Sequence, residues 1–364
     1  MRVKLEDVCE KGSSNIKQSD VENSNGDYPV FGASGYLGNV NFYHQDKPYV
    51  AVVKDGAGIG RTTMHPANSS VIGTMQYLLP KENILPEYLY YVVSYMNLSK
   101  YYSGATIPHI YFKDYKNEKF SLDCLDKQRQ IVMTLDKVQS IIDKRKKQLE
   151  KLDELVKSRF IEMFGDPETN PNGWEKVTVD DVCSSIVRGP FGSALKKDFF
   201  VEPSDTTYKV YEQKHAIQKS ATIGTYYVTE EKYHELKRFE CVSGDILMSC
   251  SGTMGKLYQL PEGCERGIIN QALCKFTLND KMLPICFLTY MKLTIGNLET
   301  KGSGIKNIAA VSYVKAMPIC LPPISVQIDF ENFCKQVDKS KFEIKQSLEK
   351  LELLKKALMQ KYFR

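Results

Sequence analysis

Residues 128–164 read QRQIVMTLDKVQSIIDKRKKQLEKLDELVKSRFIEMF, and residues 327–363 read QIDFENFCKQVDKSKFEIKQSLEKLELLKKALMQKYF. In the first stretch Ile131, Leu135, Val138, Ile142, Leu149, Leu152, Val156 and Met163 recur at alternating spacings of about four and three, the seam of a coiled coil. Arg145 and Arg159 interrupt that seam. The second stretch keeps the phase with Phe330, Cys334, Val337, Lys341, Leu348, Leu351, Leu358 and Tyr362, and Ile344 and Lys355 fall in line with them. At a rise of about 1.5 Å per residue each helix reaches roughly 55 Å, longer than a small domain is wide. So narrow an apolar stripe cannot be buried by a lone helix. The two copies are expected to bury it against each other as an intramolecular antiparallel pair.

Around this pair, a length of 364 residues allows two or three domains with sizeable cores. The net charge of +5 and the pI near 8.5 permit nucleic-acid binding without announcing it. None of the ten cysteines forms a C-x-x-C pair or stands near a histidine at zinc-finger spacing, so they read as reduced thiols. Met1-Arg2-Val3-Lys4-Leu5-Glu6-Asp7 carries no signal-peptide apolar region, and no later run approaches the roughly 18 residues of a membrane span. A cytoplasmic protein with no membrane partner is expected.

The chain repeats itself beyond the helices. Residues 1–124 show strand and turn grammar, with apolar runs at 28–31, 49–53 and 75–79 broken by glycine, and a short helix opening at Pro86. Gly165-Asp166-Pro167 stops the first long helix, and Asn170-Pro171-Asn172-Gly173 makes a linker. A second unit then begins at Trp174. Leu5-Glu6-Asp7-Val8-Cys9 parallels Val179-Asp180-Asp181-Val182-Cys183, and Gly58-Ile59-Gly60-Arg61 parallels Thr253-Met254-Gly255-Lys256. The loop 104–110 parallels 302–308, and Gln128 parallels Gln327 at the mouth of each helix. The order is domain, helix, domain, helix.

Enzymatic readings fail on the residues. Asp55-Gly56-Ala57-Gly58-Ile59-Gly60 lacks the spacing of a dinucleotide loop and the lysine of a phosphate loop, so it reads as a tight turn. An amino-methyltransferase would need an Asn or Asp followed by Pro-Pro and an aromatic residue, and Asn170-Pro171-Asn172-Gly173 is not that segment. His44, His65, His109, His215 and His234 are scattered, without a cysteine or carboxylate at ligand or triad spacing.

Four segments carry a family resemblance. Arg188-Gly189-Pro190-Phe191-Gly192-Ser193 with Leu195-Lys196 looks like the start of a target recognition domain, and Tyr28-Pro29-Val30-Phe31-Gly32-Ala33-Ser34-Gly35 resembles a variant of that start. Gly302-Ser303 with Lys306-Asn307 resembles the loop before the last strand, and Leu321-Pro322-Pro323 with Gln327 the entry into a long helix. In this order, within a duplicated frame, they resemble the specificity subunit of type I restriction-modification systems over the whole chain. The first half departs from the pattern with Ile107-Pro108-His109 in the loop and Leu125-Asp126-Lys127 in place of the double proline.

The resemblance implies an α+β fold: two β-rich target recognition domains separated by two long helices that form an intramolecular antiparallel coiled coil, with a pseudo-twofold repeat. Its boundaries are 1–124 for the first domain, 125–169 for the first spacer helix and linker, 170–322 for the second domain and 323–364 for the second helix. It implies a non-catalytic chain that binds double-stranded DNA and assembles with two methylation subunits and with restriction subunits. No cofactor would be bound by this chain: S-adenosylmethionine belongs to the methylation subunit, ATP and Mg to the restriction subunit. Each domain would read one half of a bipartite, asymmetric target.

Base edges are read by hydrogen-bonding side chains in the grooves, while phosphate contacts set register. The polar loop residues suited to this are Ser34, Tyr36, Lys54, Arg61, Thr62, Thr106 and His109 in the first domain. In the second they are Arg188, Ser193, Lys196, Lys197, Lys209, Gln213, His215, Ser251, Thr253, Lys256, Lys306 and Asn307. The basic run from Lys144 to Lys147 reads as a solvated helix face. The competing reading is a protein-binding scaffold of a coiled coil and two β-rich modules, which would not require basic glycine loops at matching places in both halves.

Overall fold

The computed structural model describes residues 1–364 except 57, 104–107 and 301–310, and of 296–300 the backbone alone. The chain divides into two compact units, Met1–Gln148 with Ile344–Arg364, and Leu149–Glu343. Each unit holds a β-rich head and one stretch of each long helix, Leu125–Phe164 and Ile324–Phe363.

The first head contains β1 (Arg2–Lys4), β2 (Cys9–Ser13), β3 (Tyr28–Gly32), β4 (Gly35–Val40), β5 (Tyr49–Val53), β6 (Thr62–His65), β7 (Ser70–Val71), β8 (Met75–Pro80), the helix Pro86–Met96 and β9 (Lys119–Ser121). An antiparallel sheet runs β2-β8-β5-β6, a smaller one runs β4-β3-β7 with β3 and β7 parallel, and β1 pairs with β9. All five residues of β5 are buried, which explains its continuous apolar run. Val50 and Val52 face the core that includes Tyr88 and Val92 of the helix, while Tyr49, Ala51 and Val53 face Val71, Met75 and Tyr77. The two-residue alternation of a strand thus serves two cores.

The second head contains β10 (Glu175–Thr178), β11 (Cys183–Arg188), β12 (Thr207–Tyr211), β13 (Tyr227–Thr229), β14 (Glu240–Cys241), β15 (Ile246–Ser249), β16 (Leu257–Gln259), β17 (Gly267–Ile269), β18 (Leu273–Leu278), the helix Pro284–Thr300 and β19 (Pro318–Leu321). Its sheets repeat the plan: β11-β18-β15-β16, β13-β12-β17-β14 with β12 and β17 parallel, and β10 with β19. The additions are β14 and two short helices, Gln213–Gln218 and Glu230–Glu235. The frame is duplicated, and the insertions distinguish the second head.

Within each unit the long helices run antiparallel. In the first, Ile131, Val132 and Leu135 share a core with Met359 and Phe363, Lys355 Nζ donates to Gln139 Oε1 at 2.5 Å, and Lys146 pairs with Glu352 at 3.4 Å. In the second, Asp153 pairs with Lys341 at 2.6 Å, Arg159 lies 5.8 Å over the Phe333 ring, and Phe160 and Phe164 meet Phe330 edge-on at 5.4 and 5.3 Å. Higher numbers on one helix meet lower numbers on the other. The expected pairing holds, with Phe160, Phe164, Met359 and Phe363 as buried additions beside the seam that reach into the head cores. No helix among the described residues is long and apolar enough to cross a membrane.

The heads join the helices through equivalent glutamines. Gln128 Oε1 accepts the Leu85 N–H at 2.9 Å, and its Nε2 donates to Asn83 O and Asp123 O, both at 2.9 Å. Gln327 Oε1 accepts the Leu283 N–H at 2.8 Å, and its Nε2 donates to Lys281 O and Pro322 O at 2.9 Å. Both side chains are buried.

Candidate nucleic-acid interface

Both heads close the loop of one β-hairpin in the same way. Between β5 and β6 the Val53 N–H donates to Arg61 O at 2.9 Å and the Gly60 N–H to Val53 O at 2.8 Å. Between β15 and β16 the Ser249 N–H donates to Lys256 O at 2.9 Å and the Gly255 N–H to Ser249 O at 2.8 Å. Gly60 and Gly255 take φ of +79° and +71°. A Cβ there would stand 2.6 Å from Ser99 N or 2.5 Å from Ile295 Cγ2, so backbone and packing both call for glycine. Of the tight turn expected at 55–60, Gly56 and residues 58–60 lie in bend or turn backbone, and Arg61 and Lys256 occupy equivalent corners.

In the first unit this loop gathers most of the expected residues. Arg61 Nη1 donates to Ala33 O at 2.8 Å and so ties the loop to the turn between β3 and β4, where Ser34 is exposed, as is Tyr36 at the start of β4. The Thr62 hydroxyl donates to Gly60 O at 3.4 Å. Lys54 opens the loop, with its ammonium 4.0 Å from Asp55. Asp55 Oδ1 lies 2.6 Å from His109 Nδ1, which brings His109 to the same place. Sequence reasoning missed two exposed aromatic residues here, Tyr102 and Tyr111: the Tyr111 ring lies nearly parallel to His109, and Lys113 stands 5.2 Å over it. Their signal was the interleaving of tyrosine with lysine. Thr106 lies outside the described residues.

In the second unit Ser251, Thr253 and Lys256 sit on the equivalent loop, and Gln213 Nε2 donates to Ser251 O and, at 3.3 Å, to Thr253 O. Arg188, expected at the interface, ends β11 beside this loop and is only 7% exposed: its Nε donates to Gln271 O at 3.4 Å, and its guanidinium lies 5.0 Å over the exposed Phe191 ring. Ser193, Lys196 and Lys197 are exposed on turns that flank Leu195 of a separate small core. Lys306 and Asn307 lie outside the described residues.

Lys209 and His215 were expected at the interface and are instead interior. Lys209 is 2% exposed, and its ammonium pairs with Glu265 at 2.7 Å. His215 is fully buried: its Nδ1 accepts the Glu212 N–H at 2.8 Å and its Nε2 donates to Ile223 O at 2.6 Å. Burial lowers the pKa of this imidazole, reinforced by Lys209, and keeps it neutral. The two nitrogens organise a helix start and a loop, so both residues leave the candidate set. The missed signal for Lys209 was its place in the strand run Thr207–Tyr211. Among the described residues no cluster of side chains could hold a metal ion.

Comparison with known proteins gives a consistent result. The family model described as "Type I restriction modification DNA specificity domain" matches residues 1–154 and again residues 171–355. Among solved structures, the S subunit of a type I restriction-modification system from M. genitalium aligns at 14% identity over 100% of this chain and 96% of that chain, with a TM-score of 0.56. A chain from a study of complex assembly and conformational transition of the type I R-M system aligns at 16% identity over 100% and 97%, with a TM-score of 0.59. At such identities the structural likeness speaks for the fold.

Proposed function

Because the chain belongs to the type I restriction-modification DNA specificity family, whose members confer sequence specificity and carry no catalytic site, we propose that each head reads one half of a bipartite, asymmetric duplex target. The target recognition domains are residues 1–124 and 170–322, and residues 125–169 and 323–364 are the spacer helices with their linker. The observation that carries this reading is the pair of hairpin loops, closed by the same hydrogen bonds and bearing Arg61 in one head and Lys256 in the other. Loops closed alike but bearing different side chains suit one task on two different half-sites. Phosphate contacts would fix each head on the duplex, and base-edge contacts would choose the sequence.

The reactions belong to partners. Two methylation subunits holding S-adenosylmethionine transfer the methyl group, and restriction subunits using ATP and Mg cleave. The residues of this chain bind and orient DNA for them.

The test is co-expression with the methylation subunit in a methylation-free bacterial host, with mapping of modified bases in the presence and absence of this chain. A two-part asymmetric motif with an unread gap, dependent on the chain, is the expected result. A stable complex that adds no methylation would reject the reading.

A further inference from the structure

We propose that the second unit contains a phosphate pocket formed by Lys219, Lys256 and Lys292. The proposal deepens the DNA-reading function and rests on it for the source of the phosphate.

The three lysines come from separate elements. Lys219 caps the helix Gln213–Gln218, Lys256 leaves the hairpin loop, and Lys292 lies on the helix Pro284–Thr300. Together they line a cavity of about 320 Å³ whose apolar wall includes Ala216, Leu257 and Ile295. Among the described residues no salt bridge engages any of the three ammonium groups. Lys219 also holds a left-handed backbone, φ +51°, at a helix end where glycine or asparagine is the usual residue. This chain has an ammonium there instead.

Like charges around a concave, partly desolvated space repel one another, and an anion relieves that repulsion. Lys292 reports the condition: desolvation, with Lys219 and Lys341 near it, lowers its pKa, against the opposite pull of Asp153 and Asp338. Lys341 is itself paired with Asp153, while Asp338 offsets part of the charge at Lys292 without a salt bridge to it among the described residues. A phosphate group offers several strong acceptor oxygens to ammonium groups that line one cavity. Lys256 links the pocket to the reading loop, so the expected occupant is a backbone phosphate at the edge of the second half-site.

The first unit is built differently at this place. Its helix stops at Met96, Asn97 turns left-handed, and the turn Leu98–Tyr101 lies against Gly60. In the second unit the helix runs on to Thr300 and brings Lys292 and Ile295 to the cavity beside Gly255.

The test uses the full chain in complex with its methylation subunit, and Lys219→Gln, Lys256→Gln, Lys292→Gln and the triple variant. All three side chains are exposed, so the fold should tolerate the changes, and Lys219→Gly is a second variant suited to the left-handed backbone. DNA affinity is measured across a salt series on target and non-target duplexes. Because the lysines share one phosphate, the triple variant should lower the slope of log K against log salt by roughly 1 rather than by three times that, equally on both duplexes. In parallel, melting without DNA is compared in inorganic phosphate and in chloride at equal ionic strength. An unchanged slope with phosphate-specific stabilisation that the triple variant loses would keep the pocket and assign it to a free phosphate. An unchanged slope with no such stabilisation would overturn the proposal. If the wild-type complex itself bound DNA without salt dependence, the DNA-reading function would fail separately, and the phosphate melts alone would judge the pocket.

Discussion

At the scale of single residues, the two glutamines show how a side chain can join a head to a helix. Each is buried at a helix mouth and makes three hydrogen bonds to backbone groups, one of them to the N–H just before a proline-initiated helix. Gln128→Leu would orphan one N–H and two carbonyls at up to roughly 1–3 kcal/mol per group. A loss of about 3 kcal/mol in a urea titration is expected, with a similar loss for Gln327→Leu. The two sites share no partner, so the double variant should be additive within about 0.5 kcal/mol. Strong non-additivity would show that the heads do not hold their helices independently. His65 gives a pH prediction. Burial drives its pKa down to about 4, with the ring stacked 5.3 Å from Tyr49. Below about pH 6.5 the unfolded chain takes up a proton that the folded chain refuses, so stability falls from pH 6.5 down to 4, by roughly 3 kcal/mol at most, and is level above pH 6.5. His215 acts in the same direction. Denaturant midpoints at pH 7 and pH 5 should separate less in His65→Gln than in the wild type; equal separations would refute the assignment. The glutamines were legible in the sequence because they recur at the two helix mouths. The interior roles of Lys209 and His215 were not, because a lysine or histidine has the same letter whether its nitrogen meets Glu265, a carbonyl or a phosphate.

At the scale of elements, the helix pair is tightest next to the heads. Ile131, Leu135 and Ile142 in the first unit and Phe330 and Cys334 in the second are almost fully buried, whereas Leu149, Leu152, Leu348 and Leu351 are half-buried. Phe330→Ala removes the ring that meets both Phe160 and Phe164, and should cost about 3–5 kcal/mol. Leu353→Lys, at a position 67% exposed, should stay within about 0.5 kcal/mol of the wild type. Thermal melts of both variants check the assignment, and a comparable loss in each would refute it. The alternation of four and three made this seam readable because it records a helix facing another helix. Phe160, Phe164, Met359 and Phe363 escaped it because they pack against the β-rich cores as well as the opposite helix, and a heptad pattern holds no information about the first kind of neighbour.

At the scale of the whole molecule, the duplicated frame predicts that recognition is modular. Arg61 is bonded to Ala33 of its own unit, and Lys256 belongs to a loop tied to Gln213 of the other. Each of these bonds lies within a single unit. Arg61→Ala should therefore relax or abolish one half of the methylated motif and leave the other half readable, whereas Lys256→Ala, which removes a phosphate contact, should keep both halves of the motif and lower the occupancy of every site. A base-edge contact is worth about 1–3 kcal/mol of discrimination, so a base-reading role for Arg61 would appear as a degenerate position within one half-site. A phosphate role for Lys256 would appear as a uniform loss of occupancy over all sites that share that half. The two variants thus distinguish reading from anchoring as well as one head from the other. Base-resolution maps of the genome methylated by each variant complex provide the measurement. If either single substitution altered both halves of the motif together, the heads would be coupled readers, and the equivalence of the two hairpin loops would reflect common descent without division of labour.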